Sequence, residues 1–318
     1  MTAIAPPPAA PAPFTATRHA RARPDRRRQG WVRRAPLLPA LVFTIIVTQL
    51  PFLLTLWYSL QSWSLVRPGS EHFVGLTNYA DVFRDSQFRT TALNTVLMTV
   101  GTVLIAMVLG VALALVLDRK FLGRGIVRTL LITPFLVMPV AGALIWKTVM
   151  LDPTYGIINF LLRPFGIGHF DWVSKLPLGS VMIEMIWQWT PFMMLLVLAG
   201  LQSQPKDILE AASTDGARPL DIFRELTLPH LRRYIELGIV LGAIYVVNEF
   251  DAVYMMTQGG PGISSANLPF YIYQRAFLGF QVGQAAAMGV VVVVATIIVA
   301  TFALRLIFKT FSGTEQAA

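Results

Sequence analysis

The sequence contains no cysteine, and only 14% of its 318 residues are charged. The absence of cysteine excludes a small secreted scaffold held together by disulfides. Average soluble domains carry about 25% charged and about 45–50% apolar residues, whereas 55% of this chain is apolar. The composition therefore indicates a membrane protein, and it argues against an ordinary soluble enzyme or a chain that is disordered throughout.

Patterns that support catalysis or nucleotide binding are missing as well. No lysine follows a glycine, so the sequence has no phosphate-binding loop of the G-x-x-x-x-G-K-[ST] type. The four histidines are scattered without the spacing of metal ligands, and no G-x-S-x-G elbow occurs. We therefore expect a chain that is not an enzyme, has no catalytic or metal-binding residues and holds no cofactor of its own.

Six apolar stretches are long enough to cross a bilayer, because a hydrocarbon layer of about 30 Å requires about 20 helical residues. Lipid offers the backbone no hydrogen-bond partner, so each stretch should be a helix. The predicted fold class is thus all-α, a polytopic membrane protein with six transmembrane helices. The spans are predicted at residues 37–60, 93–117, 127–150, 177–200, 235–256 and 285–308. We expect Pro134 and Pro139 to kink the third span and Pro191 the fourth.

The positive charges predict the orientation of these spans. Nineteen of the 26 Lys and Arg residues fall before the first span, in the second-to-third and fourth-to-fifth loops, or at the end of the sixth span, against six on the other side. Cytoplasmic segments carry the excess of Lys and Arg, so both termini should be cytoplasmic. Residues 1–35 are rich in Ala, Pro and Arg, which predicts a disordered basic tail, and residues 311–318 should form a short second tail.

The cytoplasmic loop at residues 204–232 has its own predicted structure. Pro205 suits the start of a helix over residues 206–214. Gly216 suits the left-handed position that ends such a helix, so we expect it to have a positive φ. A second helix should follow from residue 219 and stop before Pro229. The loop thus predicts two short helices joined by a tight turn outside the membrane.

Motifs in three segments carry a resemblance to a known family. The loop resembles the EAA loop of bacterial ABC importer permeases, and two external segments resemble those of sugar permeases. The motifs are Glu210-Ala211-Ala212, Asp215-Gly216-Ala217 and Leu228-Pro229 in the loop, with Phe73 to Tyr79 and Thr257 to Gly262 outside it. Over residues 36–310 the chain therefore resembles a permease of the maltose/glycerol-phosphate type. Val137-Met138-Pro139, Phe170-Asp171-Trp172 and Trp187-Gln188-Trp189 are most similar to the sorbitol/mannitol branch.

The resemblance implies an importer with several subunits in a bacterial cell membrane. The loop helix would be a coupling helix in a groove of a separate ATPase, with Glu210 facing that groove and Gly216 allowing the turn. The implied partners are a second homologous permease, two ATPase subunits that bind the ATP, an external substrate-binding protein and the lipid bilayer, and no nucleic acid.

Polar residues inside spans four and five are the candidate substrate-binding groups, because polar side chains in lipid are costly and usually functional. Amide and carboxylate groups can bond the hydroxyls of a sugar or sugar alcohol, and aromatic rings can cover its C–H faces. The candidates are Glu184, Trp187 and Gln188 in span four and Tyr245, Asn248 and Asp251 in span five. Glu184 and Gln188 should share one helix face, as should Asn248 and Asp251.

Two other interpretations remain open at this stage. The same polar groups could bond neighbouring helices without touching a solute. Alternatively, Glu184, Glu249 and Asp251 could relay protons in a stand-alone, ion-coupled secondary transporter. Such transporters commonly contain internal repeats, and no repeat is evident in this sequence.

Overall fold

The computed structural model describes residues 37–69, 71–166 and 168–315, with side chains as far as Thr301. The tail expected at residues 1–35 lies outside the described residues. The tail expected from residue 311 is helical as far as Glu315, and residues 316–318 are outside the description. The chain divides into two compact units, the second beginning at Leu54. The core and the candidate sites described below lie in this second unit.

The described chain is almost entirely helical, which confirms the all-α class. Its α-helices are α1 (Leu38–Ser59), α2 (Thr77–Arg84), α3 (Ser86–Asp118), α4 (Arg124–Leu136), α5 (Pro139–Ile145), α6 (Ile157–Leu162), α7 (Trp172–Lys175), α8 (Pro177–Gln202), α9 (Lys206–Thr214), α10 (Pro219–Ile222), α11 (Leu228–Val246), α12 (Asp251–Met256), α13 (Leu268–Tyr273) and α14 (Val282–Glu315). Wide π-helical turns follow three of them, at Trp146–Met150, Phe223–Thr227 and Gln274–Leu278, and a 3₁₀ turn covers Arg163–Phe165. A short antiparallel hairpin pairs β1 (Gln61–Ser62) with β2 (His72–Phe73).

Four of the six predicted spans are continuous helices in the structure. Helices α1, α3 and α8, together with α14 as far as Thr301, are each long and apolar enough to cross a membrane. They correspond to the first, second, fourth and sixth predicted spans. Pro191 lies inside α8 without ending it.

The third span is broken rather than merely kinked. Helix α4 ends at Leu136, α5 begins at Pro139, and the two parts of the span meet at an angle of 100°. Proline has no N–H to donate and disfavours helical backbone at the residue before it. Met138 accordingly has an extended ψ of 131°. Pro134, in contrast, lies within α4.

The prediction of one continuous fifth span over residues 235–256 was wrong. Helix α11 ends at Val246, and α12 is a separate helix of six residues that begins at Asp251. The break carries the polar pair Asn248 and Glu249, whose backbone N–H groups donate to the carbonyls of Tyr245 and Val246, three positions earlier in each case. Neither helix is both long enough and apolar enough to cross a membrane alone. The described chain therefore has four continuous spans by length and composition, together with one bent pair.

The core lies where α3, α8 and α11 pack together. At Gly110 on α3, an added Cβ would lie 2.7 Å from the Met193 Cβ of α8. At Gly238 on α11, an added Cβ would lie 2.6 Å from the Met107 Cε of α3. Small residues at such crossings allow membrane helices to approach closely, and here they let α3 pack closely against α8 and α11.

Candidate functional site

The first candidate site is the loop between α8 and α11. Helix α9 ends at Thr214, and Gly216 follows with φ +83°, which confirms the predicted left-handed glycine. The Gly216 N–H donates to the Ser213 carbonyl at 3.2 Å, and the Ala217 N–H donates to the Ala212 carbonyl at 3.0 Å. These two bonds form the Schellman motif, which satisfies carbonyl groups at a helix end. The turn therefore has a defined geometry that sets the direction of the chain after α9.

The second half of the loop differs from the prediction. The helix that begins at Pro219 does not stop before Pro229, because the π-helical turn Phe223–Thr227 continues it directly into α11. In this wide turn the Leu228 N–H donates to the Phe223 carbonyl, and Pro229 occupies the first turn of α11, where no donor is required. The loop is therefore continuously helical from residue 219 onward.

The outer surface of the loop is exposed. Ile208 on α9 is 51% exposed and Leu220 on α10 is 60% exposed, although both are large and apolar. Glu210, Ala211 and Asp215 are also exposed, and neither carboxylate forms an ion pair within the described part of the chain. The surface thus combines apolar and acidic groups that are available to a partner.

The two ends of the loop are fastened together at the base of α8 and α11. The Ser203 Oγ lies 2.8 Å from the Tyr234 hydroxyl and 3.1 Å from the His230 Nε2. At Gly200, an added Cβ would lie only 2.6 Å from the Tyr234 ring. These contacts fix the end of α8 against the start of α11, on either side of the loop.

The second candidate site lies around the two broken spans. Glu184 on α8 is fully buried, and neither of its carboxylate oxygens has a hydrogen-bond partner among the described groups. Its Oε1 faces α5, where a Cβ added at Gly142 would lie 3.1 Å away. Trp187 lies beside it, with its ring edge-on to Trp146 at a centroid distance of 5.9 Å.

Gln188 has a backbone partner at the break of the third span. Its Nε2 donates to the Val137 carbonyl at 3.2 Å, a group that belongs to the break between α4 and α5. Gln188 is 6% exposed and Glu184, on the same face of α8, is 0% exposed. The structure therefore brings Glu184, Trp187 and Gln188 together against the broken third span. Glu184 and Gln188 share one face of α8, as their spacing predicts.

An aromatic cluster joins span four to span five. The Trp189 ring stacks on the Tyr245 ring of α11 at 5.4 Å and 27°. Phe135 on α4 and Phe192 on α8 contact the same tryptophan edge-on, at 5.9 and 5.8 Å. Tyr245 is 58% exposed, so the stack has an accessible side that could cover the apolar face of a solute.

The fifth span's polar residues do not share one helix face, contrary to prediction. Asn248 lies in the break and is exposed, with its Nδ2 donating to the Ile244 carbonyl at 2.8 Å. Asp251 begins the separate helix α12. Glu249, between them, accepts the Ala252 N–H at its Oε1. The break thus separates Asn248 and Asp251, and it presents Asn248 on its own.

The segment after α12 contains a polar cluster outside the spans. Arg275 forms an ion pair with Asp85 at 2.8 Å, and Tyr271 donates its hydroxyl to the same carboxylate at 2.5 Å. Burial alone would raise the pKa of Asp85, but the bonds from Tyr271 and the Gln87 N–H, with the charge of Arg275, bring that pKa below its ordinary value. This cluster fastens α13 and its π-helical turn to the start of α3.

Sequence reasoning did not single out the partners of these residues. Asn267 donates to the Glu249 carbonyl, and Trp189 stacks on Tyr245 across 56 positions. The members of each pair are too far apart in the sequence for helical spacing to predict their contact. No group of three or more His, Cys, Asp or Glu residues able to hold a metal ion occurs in the part of the chain that the structure describes.

Comparison with known families decides the identity of the chain. The model of the family described as "binding-protein-dependent transport system inner membrane component" matches residues 91–312, which include the loop between α8 and α11 and both broken spans. The chain belongs to this family. It is therefore a membrane-embedded component of a transport system that works with a binding protein.

Relatives in this inner-membrane transport family include named sugar permeases. The chain is 37% identical over 278 residues to a probable ABC transporter permease of Sinorhizobium fredii, with 87% of this chain and 89% of the relative covered. It is 32% identical to the trehalose/maltose permease of Thermococcus litoralis, covering 76% and 82%. It is also 32% identical to the trehalose permease of Mycobacterium tuberculosis, covering 88% and 89%.

A solved structure has the same fold. The match is a chain of a bacterial ABC transporter that imports the polysaccharide alginate, with a TM-score of 0.76 and 20% identity. It covers 89% of this chain and 96% of the other. The permease fold of an ABC importer therefore accounts for the arrangement of helices described above.

Proposed function

We propose that this chain is one of two permease subunits of an ATP-driven importer for a sugar or sugar alcohol. The second, homologous permease would complete the pathway, two ATPase subunits would bind and hydrolyse ATP, and an external binding protein would deliver the solute. The observation that carries this proposal is α9, an exposed helix that ends in a Schellman turn at Gly216. Such a helix offers a defined docking element to a separate energy-supplying subunit.

The proposed orientation has both termini and α9 in the cytoplasm. It rests on the nineteen Lys and Arg residues that fall on that side, against six on the other. In this orientation Thr257 to Gly262 faces outward, on the side where the binding protein would dock.

The docking surface for the ATPase consists of the exposed side of α9 and the turn that follows. The proposed contacts are made by Glu210, Ala211, Ala212, Asp215, Gly216 and Ala217. The small side chains of the alanines allow a partner to approach closely, and Glu210 offers a charge. Because Ser203, His230 and Tyr234 fasten α8 to α11, closure of the ATPase subunits would move both helices and reorient the pathway between them.

The proposed solute contacts are arranged in two tiers around the broken spans. Tyr245 and Asn248 are exposed and would contact the solute first, with the tyrosine ring against a C–H face and the Asn248 Oδ1 accepting from a hydroxyl. The less exposed proposed contacts are Gln188, Trp187 and Glu184, and Asp251 lies at the start of α12. Broken helices near the middle of the membrane are where transporters commonly place their substrates.

The class of solute is proposed from the relatives and from the site. Named relatives transport trehalose or maltose, and the paired amide and aromatic groups suit a polyhydroxylated molecule. A sugar alcohol is the finer proposal, supported by the likeness of residues 137–139, 170–172 and 187–189 to the sorbitol/mannitol branch.

Purification separates this proposal from the ion-coupled alternative. The tagged chain, extracted in mild detergent from its host, should co-purify with a second permease and an ATPase. Proteoliposomes containing that complex and the solute-loaded binding protein should take up solute only when ATP is present on the cytoplasmic side. Purification of the chain alone, with uptake driven by a proton gradient in the absence of ATP, would refute the proposal. A Glu210→Ala complex serves as the matched control for coupling.

A further inference from the structure

The break in the fifth span leaves backbone groups that a continuous helix would have satisfied internally. At membrane depth an unsatisfied carbonyl is costly, so non-helical backbone persists there only where the protein supplies partners. The Glu249 carbonyl lies in this break, and the Asn267 Nδ2 donates to it. Asn267 thus supplies from another segment a hydrogen bond that the interrupted helix lacks.

Asn267 is held firmly in place to make this bond. It is 2% exposed, and its Oδ1 accepts the Phe270 N–H at 3.1 Å, which caps the start of α13. Both ends of its amide are therefore engaged, one on the break and one on α13. Glu249 is fixed a second time, through the bond from the Ala252 N–H to its Oε1.

The segment that bears Asn267 is in turn fastened to α3. The Asn94 Nδ2 donates to the carbonyls of Ile263 at 3.0 Å, Ser264 at 3.3 Å and Ala266 at 3.0 Å. The Leu268 N–H donates to the Thr95 Oγ1 at 2.8 Å. A displacement of residues 263–268 would therefore be transmitted through Asn267 to the break, and not absorbed by slack in the loop.

We propose that Asn267 is a positioning residue of the pathway, which ties the external segment to the break and thereby sets the position of Asn248. The inference rests on the proposed function to the extent that Asn248 contacts the solute. Asn267 itself touches no solute. Its role is to set the position of the exposed Asn248 side chain when the binding protein docks on the external side.

The test replaces Asn267 with Ser, which retains an oxygen to cap α13 but is too short to reach the Glu249 carbonyl. The whole complex, with partner permease, ATPase subunits and binding protein, is reconstituted in proteoliposomes with maltose as the probe solute. Solute transported per ATP hydrolysed is measured in assembled complexes, together with the half-saturating concentration of binding protein. Ser264→Ala, an exposed position in the same segment, is the matched control. Asn267→Asp, nearly isosteric but without the donor, is the second variant if Asn267→Ser fails to assemble.

We expect Asn267→Ser to lower transport per ATP about fivefold or more, because a buried carbonyl loses its partner. The half-saturating concentration of binding protein should stay unchanged, and Ser264→Ala should behave as the unaltered chain does. The double variant with Asn248→Ala should be no worse than Asn248→Ala alone, since residues that act through one another are not additive.

Four outcomes separate this inference from the proposed function. Normal transport per ATP in Asn267→Ser overturns the inference alone, as do effects of Asn267→Ser and Asn248→Ala that multiply. A loss that merely follows the amount of assembled complex also overturns it, because that is what a purely structural role would give. Normal transport in Asn248→Ala refutes the proposed solute contact. If Asn267→Ser nevertheless lowers transport per ATP, the inference is overturned as well, because Asn267 then does not act through Asn248.

Discussion

Replacement of Gly216 by Val tests whether the turn after α9 carries the coupling. Gly216 has φ +83°, and a Cβ built there has no heavy atom within 4 Å. The cost of the substitution therefore comes from the backbone conformation and not from a steric clash. A left-handed conformation costs an L-residue about 1–2 kcal/mol, so the population of the native turn should fall by a factor of about 5–30.

The expected result of Gly216→Val is a complex whose spans are inserted but whose α9 is displaced. The measurement is the amount of ATPase that co-purifies with the tagged permease, together with solute uptake in cells. Gly216→Asn is the matched control, because asparagine tolerates the left-handed conformation and finds the same open space. Equal co-purification and uptake for the Val variant, the Asn variant and the unaltered chain would refute the reasoning.

Four further predictions concern other parts of the chain. Glu210→Ala should leave α9 helical but lower the amount of ATPase that co-purifies with the chain. An unaltered amount of co-purified ATPase would contradict this. Asn248→Ala should lower transport more than assembly, since the loss of a hydrogen bond to the solute costs about 1 kcal/mol or more. Equal losses of transport and assembly would instead favour a structural role. Gly260→Cys, in a chain without other cysteines, should react with an impermeant thiol reagent from outside, and labelling from the cytoplasm alone would overturn the topology. Because Asp85 has a lowered pKa in the folded state, its pairing with Arg275 should stabilise the protein above the ordinary pKa of about 4 and lose that effect as the pH falls further. Asp85→Asn should therefore lower the melting temperature at pH 7 and make a smaller difference in acid, and a constant difference would contradict the assignment.

The first half of the loop between α8 and α11 was predictable because its signals are local. Pro205 marks the start of a helix, and Gly216 marks its end through a φ angle that few other residues adopt. The four continuous spans were predictable for a similar reason, since length and apolar composition alone determine whether a helix can cross lipid.

The breaks in the spans were only partly predictable. Pro139 indicated an interruption in the third span. The sequence of that span does not reveal whether the proline bends the helix or ends it. The fifth span contains no proline in residues 235–256, and its interruption at Asn248 and Glu249 depends on partners elsewhere in the chain. Hydropathy averages over about 20 residues and does not detect where the helical hydrogen bonds stop.

The candidate solute site depended most on tertiary contacts. Sequence spacing placed Glu184 and Gln188 on one face correctly, because both lie on the same continuous helix. It could not reveal that Gln188 would bond to the Val137 carbonyl, because that carbonyl becomes available only where the third span is broken. The Trp189–Tyr245 stack depends in the same way on the close packing of α8 against α11.

The central claim, that a separate ATPase docks on α9, can be tested directly by cross-linking in native membranes. A single cysteine at Glu210 would be combined with a short bifunctional reagent that joins it to a lysine of a neighbouring protein. Our account predicts a cross-linked product that contains the ATPase subunit for Glu210→Cys and none for a control cysteine at Ser64. A Glu210→Cys chain that is reagent-accessible in assembled membranes but never linked to an ATPase would contradict the account.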